Sequence, residues 1–158
     1  LNRHHFFGHI KNQEMQLSEI GKFAVQYWYE IPNHFPMVEL GNFVVMPNHV
    51  HGILIIDKIN DESFSESVET RHCLVSTIKT NTIIGSSRFQ NQGKNTISSI
   101  VGSYKSIVTK MSRQINPNFG WQSRFHDHII RHSKSFDTIQ NYIEQNPLKW
   151  KEDTFYNL

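Results

Sequence analysis

In LSEIGKFAVQYWYEI, apolar residues fall at the three- and four-residue steps of a helix: Ile20, Phe23, Ala24, Tyr27, Trp28 and Ile31 share one face. Ser18 is placed to cap the start of this helix and Pro32 to end it. Ahead of it, HFFGHIKNQEMQLS reads as a short hairpin turning at Lys11 to Gln13. Behind it the period changes. MVELGNFVVM and HVHGILII read as two strands joined by a turn at Pro47 and Asn48.

From Asp57 to Asn95 the chain is polar, rich in Ser, Thr and Asn, and almost without periodicity. Such a segment is expected to be a long mobile connection, because it has little apolar surface to offset its ordering entropy. Helical spacing returns in TISSIVGSYKSIVTKMSRQI, where Ile97, Ile100, Val101, Tyr104, Ile107, Val108, Met111 and Ile115 form one stripe. After NPNFG, the run WQSRFHDHIIRH reads as a further strand, with His126 and His128 alternating along it. A last helix, SFDTIQNYIEQNP, is expected to be capped by Ser135 and closed by Pro147. Phe136, Ile139 and Ile143 should dock it. The order helix, strand, strand, helix, strand, helix is that of a ferredoxin-like α+β sheet without its first strand. On this reading the missing strand should be ending near Leu1.

Composition narrows the picture without deciding it. The 158 residues suit a single domain spanning 1–158. No apolar run approaches the roughly 20 residues of a membrane span, so no membrane partner is expected. One cysteine, Cys73, excludes both an internal disulfide and a cysteine-based zinc cage, and suits a cytoplasmic setting. The net charge of +2 permits a nucleic-acid partner but does not demand one.

The chemistry starts at His49 and His51. Alternation along a strand puts both on one face, near enough to grip one ion. A bare H-x-H pair beside a turn is more often solvent-facing, so a metal reading needs a third ligand. Tyr142 and Asn146 stand one helical turn apart in the last helix. An amide oxygen from Asn146 can complete the site with Tyr142 beside the ion, provided that helix lies across the histidine strand.

MPNHVHGILII together with WQSRFHDHIIRHSKSFDTIQNYIEQNPLKW resembles the single-tyrosine HUH transposases (histidine, hydrophobic residue, histidine). More narrowly, the chain is similar to the REP-associated tyrosine transposases, from FFGHI to NPLKW apart from the polar 57–95 connection. The resemblance implies that His49 and His51 bind a divalent metal, Mg²⁺ or Mn²⁺, and that Tyr142 is the nucleophile on a C-terminal catalytic helix. It also implies Asn146 as third ligand, where classical insertion-sequence enzymes carry glutamine; Gln145, one residue earlier, points away from that edge.

The implied activity is cleavage and rejoining of single-stranded, hairpin-flanked DNA through a 5′-phosphotyrosine. A divalent ion polarises a phosphodiester that otherwise repels a nucleophile, and a nearby cation favours the phenolate of a tyrosine whose free pKa is about 10. The covalent link conserves the bond, so rejoining needs no ATP, in keeping with the absence of a Walker-type glycine loop. Arg88, Lys94, Lys105, Lys110, Arg124 and Arg131 are candidate phosphate contacts, and Phe89 or Trp121 candidate stacking platforms, although Trp121 also suits a core. The family contains both monomers and homodimers. The rival reading is a domesticated protein that binds hairpin DNA without cutting it.

Overall fold

The computed structural model describes residues 4–56, 96–122, 125–153 and 156. The expected 57–95 connection lies outside them. The chain opens with an antiparallel hairpin, β1 (Gly8–Lys11) and β2 (Glu14–Leu17), with Lys11 opposite Glu14. Asn12 and Gln13 make its two-residue loop, both left-handed with φ of 52° and 67°, as a turn matched to the strand twist requires. Helix α1 (Glu19–Tyr29) follows at once. The Ser18 hydroxyl accepts from the Gly21 amide at 3.1 Å and donates to the Phe6 carbonyl at 2.6 Å. The cap therefore also ties the hairpin to the helix. Pro32 does not end α1, which stops at Tyr29; it sits in the first turn of a one-turn helix, α2 (Ile31–His34). There the missing N–H of proline costs nothing.

Strands β3 (Val38–Val45) and β4 (Val50–Ile56) pair antiparallel, with Val44 opposite His51 and Val45 opposite Val50. The register is irregular between Leu40 and Phe43. Their connection is closed by the Met46 amide donating to the His49 carbonyl at 2.8 Å. Met46, Pro47 and Asn48 are buried in it, which is unusual for a turn. Helix α3 (Ile97–Ile115) is capped by Thr96 and lies against α1, where the buried Tyr104 hydroxyl donates to the Ala24 carbonyl at 3.0 Å. Ile100, Tyr104 and Val108 are buried as the stripe predicts, but Ile115 is 52% exposed and the inward place one turn earlier is taken by Ser112.

One face of β3–β4 meets α1. Trp28 stacks on Phe43 with ring centroids 4.4 Å apart and planes at 8°. Gly52, opposite Phe43, admits that ring: a Cβ there would lie 2.4 Å from Trp28 Cζ2 and Cη2. Ile20, Ala24, Trp28, Ile31, Val38, Val45, Ile100, Tyr104 and Val108 form one core with Phe7 and Phe119.

Helix α4 (Ser133–Gln145) packs on β3 and β4 and touches His51, two residues from the buried Ile53. Ile143 is buried, and Asn42, in the irregular part of β3, holds α4 through Gln140 and Glu144 at 3.1 and 2.7 Å. The helix starts two residues before the expected cap. His132, not Ser135, occupies the cap position, and the Phe136 amide donates to the His132 carbonyl.

The expected strand across 121–132 is absent among the described residues, which there carry no strand. Phe125 and Ile129 are 41% and 71% exposed, and among the described residues no strand pairs with their segment. Alternation is only half of a strand; the other half is a hydrogen-bonded partner. The architecture is thus mixed α+β, with two small antiparallel sheets. No described helix is long and apolar enough to cross a membrane.

Candidate metal centre

His49 ends the β3–β4 connection and His51 lies in β4, two residues on and on the same side. Their Nε2 atoms are 2.9 Å apart and their rings stand at 87°. Two ligands at right angles on one ion, each about 2.1 Å from it, are separated by about 3 Å, so this spacing suits a shared ion. The pair also satisfies itself through one proton between the two nitrogens. His49 Nδ1 lies 2.7 Å from Asn48 Oδ1; the tautomer with its proton on Nδ1 donates to that oxygen and leaves Nε2 able to bind a metal. Burial pushes the His51 pKa below its ordinary value, more than the Asp153 carboxylate raises it. His51 therefore stays in the neutral, ligating form.

Helix α4 brings Tyr142 to the pair. The Tyr142 ring meets His51 edge-on, with centroids 5.5 Å apart, and Trp150 meets His49 at 6.1 Å. Asn146, the C-cap of α4, has helical backbone angles and lies midway between Tyr142 and Trp150, four residues from each. It is 3% exposed, and its Nδ2 has no hydrogen-bond partner. That nitrogen is a donor; an ion would be held by the amide oxygen, Oδ1. Tyr142 is 53% exposed.

Three neighbours of the pair were not anticipated: Asn48, Trp150 and Asp153. The chain turns after Asn146 into a 3₁₀ turn (Trp150–Glu152), and Asp153 Oδ2 reaches 3.9 Å from His49 Nε2. Asn48 was legible as the asparagine inside MPNHVH; nothing in NPLKWKED marks which of its two carboxylates turns inward. Among the described residues, no three His, Cys, Asp or Glu side chains form a ready-made metal cage.

Of the candidate phosphate contacts, the described residues include Lys105, Lys110 and Arg131. Lys105 Nζ donates to the Gln122 carbonyl at 3.2 Å and lies 5.5 Å from the Trp121 ring centre, and burial lowers its pKa. Trp121 packs among Phe7, Tyr104 and Phe119. It is a core residue. Lys110 and Arg131 are exposed, as are His126 and His128. Arg88, Phe89, Lys94 and Arg124 lie outside the described residues. An open hollow of about 550 Å³ between α4 and β3, lined by Asn42, Phe136, Gln140 and Glu144, takes no residue from the histidine pair.

No family model and no solved structure matches this chain. An uncharacterized protein of Haemophilus influenzae is 37% identical to it over 156 residues, covering 98% of this chain and 79% of the relative. Identity at that level over nearly the whole chain means a shared fold, and the chain belongs to the same family as the Haemophilus influenzae protein.

Proposed function

We propose that the protein is a metal-dependent, single-tyrosine DNA strand-transferase that cleaves and rejoins single-stranded, hairpin-flanked DNA. The observation that carries this reading is the contact of Tyr142 with His51, whose Nε2 stands 2.9 Å from that of His49. On this reading Tyr142 and the histidine pair, far apart in sequence, would act together within one chain.

His49, His51 and Asn146 would hold Mg²⁺ or Mn²⁺, which when bound polarises the scissile phosphate and offsets the charge that develops on it. Tyr142 Oη forms a bond to phosphorus as the bond from phosphorus to the 3′ oxygen breaks. The tyrosine proton leaves to solvent, and the departing 3′ oxygen takes one up as a hydroxyl. Rejoining runs the same exchange backwards, with a 3′-hydroxyl attacking the phosphotyrosine. The exposed ring of Tyr142 suits an incoming strand, and the exposed Lys110 and Arg131 are available to phosphates.

The same reading treats β3, β4, α1 and α3 as the central part of a ferredoxin-like unit, with α1 and α3 packed side by side and α4 placed as the catalytic helix. Incubation with a 3′-labelled hairpin oligonucleotide and Mn²⁺, followed by denaturing electrophoresis, tests the activity. Label migrating with the protein is expected. Label only on free DNA, cut or uncut, contradicts it and leaves a binding protein or a simple nuclease.

A further inference from the structure

We propose that Asp153 is a ligand of the same ion, so that the centre comprises two imidazoles, one amide and one carboxylate supplied by the chain beyond α4. The inference rests on the metal reading above and adds a residue to it.

Its first support is position. Asp153 Oδ2 stands 3.9 Å from His49 Nε2, with the two side chains only 8% and 11% exposed. Two atoms bound to one ion at about 2.1 Å each can be no more than about 4.2 Å apart. The carboxylate already lies inside that limit. Because the described side chains do not already form a three-residue cage, the proposal requires the Asp153 side chain to turn toward the ion.

The second support is how the carboxylate comes to be there. The Asp153 amide donates to the Trp150 carbonyl at 3.1 Å, and the Tyr156 amide donates to the Asp153 carbonyl at 3.0 Å. Trp150 is buried, with its ring 6.1 Å from that of His49 and 5.6 Å from that of Tyr156. The buried Trp150 ring and these turns hold Asp153 beside His49.

The third support is charge. Two neutral imidazoles and an amide leave the whole double charge of the ion uncompensated in a half-buried place. Mg²⁺ and Mn²⁺ prefer oxygen, and above all charged oxygen. A largely buried carboxylate at the edge of a histidine pair supplies it. Glu152, the adjacent carboxylate, is exposed.

The test is Mn²⁺ binding to the DNA-free protein, followed by electron paramagnetic resonance of the free ion. Parent protein should bind one ion. Asp153→Asn, nearly isosteric, should weaken binding at least tenfold, and Glu152→Gln should change it less than twofold. Parental or tighter binding by Asp153→Asn overturns the proposal, tighter binding marking a carboxylate that competes with the ligands. Equal losses in both variants also overturn it, because they report only diffuse charge. His51→Gln separates the two readings: if it binds Mn²⁺ like the parent, the ion is not at the pair and both fall. If it loses binding while Asp153→Asn does not, only the role of Asp153 falls. Should Asp153→Asn fail to fold, Mn²⁺ bound to parent protein labelled with ¹³C at aspartate carboxyls gives the answer directly. A ¹³C coupling is expected, and its absence overturns the assignment.

Discussion

The ring of Tyr142 stands edge-on to the ring of His51, with centroids 5.5 Å apart and planes at 78°. The two residues are brought together by the way α4 is held on the sheet. Ile143, next to Tyr142, is buried at 3% exposure, and Asn42 bridges Gln140 and Glu144 of the same helix. Those contacts hold α4 by the face beside Tyr142 and leave the tyrosine ring at the rim.

Asn146 should reveal a conflict between stability and function. Its buried Nδ2 has no partner, and an unsatisfied buried polar group costs about 1–3 kcal/mol. Asn146→Leu should leave the melting temperature unchanged or raise it, while Mn²⁺ affinity falls at least tenfold. Thermal melting and metal titration on one preparation check both. A large loss of stability with metal binding intact would assign Asn146 to the fold instead.

Gly52→Ala should lower stability by about 1–3 kcal/mol, the usual cost of forcing atoms into a packed core. The added methyl would lie 2.4 Å from the Trp28 ring, which stacks on Phe43. Because Gly52 follows His51, the same substitution should also weaken Mn²⁺ binding by displacing β4. Urea denaturation gives the first quantity; parental stability would mean that the Trp28 ring has room to move.

Much of this frame was legible in the sequence. Ser18 and the apolar stripes mark α1 and α3 because capping and periodicity are local. The H-x-H pair and the Tyr142–Asn146 step were visible for the same reason. The approach of Asp153 was not, because it depends on the path the chain takes after Pro147. The strand expected over 121–132 failed on the same ground: alternation in FHDHII is local, whereas pairing requires a neighbour. Ile115 shows how a stripe can run past the surface that it packs on.

The hairpin loop offers a local test. Gln13 holds φ at 67°, a conformation that glycine adopts without strain. Gln13→Gly should stabilise the protein by roughly 0.5–1 kcal/mol despite adding chain entropy to the unfolded state. Denaturant midpoints of the two proteins decide it, and a loss of stability would mean that the Gln13 side chain contributes contacts to the fold.

His51 gives the metal-free protein a defined pH dependence. Its native pKa lies below the ordinary 6.5, chiefly because it is buried. The unfolded chain therefore takes up a proton near pH 6.5 that the native state still refuses. The stability associated with neutral His51 is present above that pH and is lost as pH falls from 6.5 towards the lower native value. Unfolding free energies at several pH values below and above 6.5 should fall more steeply for the parent than for His51→Gln. Equal slopes would contradict a depressed His51 pKa.

The most direct test of the central claim compares parent protein and Tyr142→Phe on a labelled hairpin oligonucleotide with Mn²⁺. The substitution removes one oxygen from a side chain that is 53% exposed, so stability should change by less than about 0.5 kcal/mol. Mn²⁺ and hairpin affinity should stay within about twofold of the parent. The account predicts a covalent adduct in the parent, mapped by mass spectrometry to the peptide containing Tyr142, and none in Tyr142→Phe. An adduct formed by Tyr142→Phe at the parental rate would contradict it and place the nucleophile elsewhere.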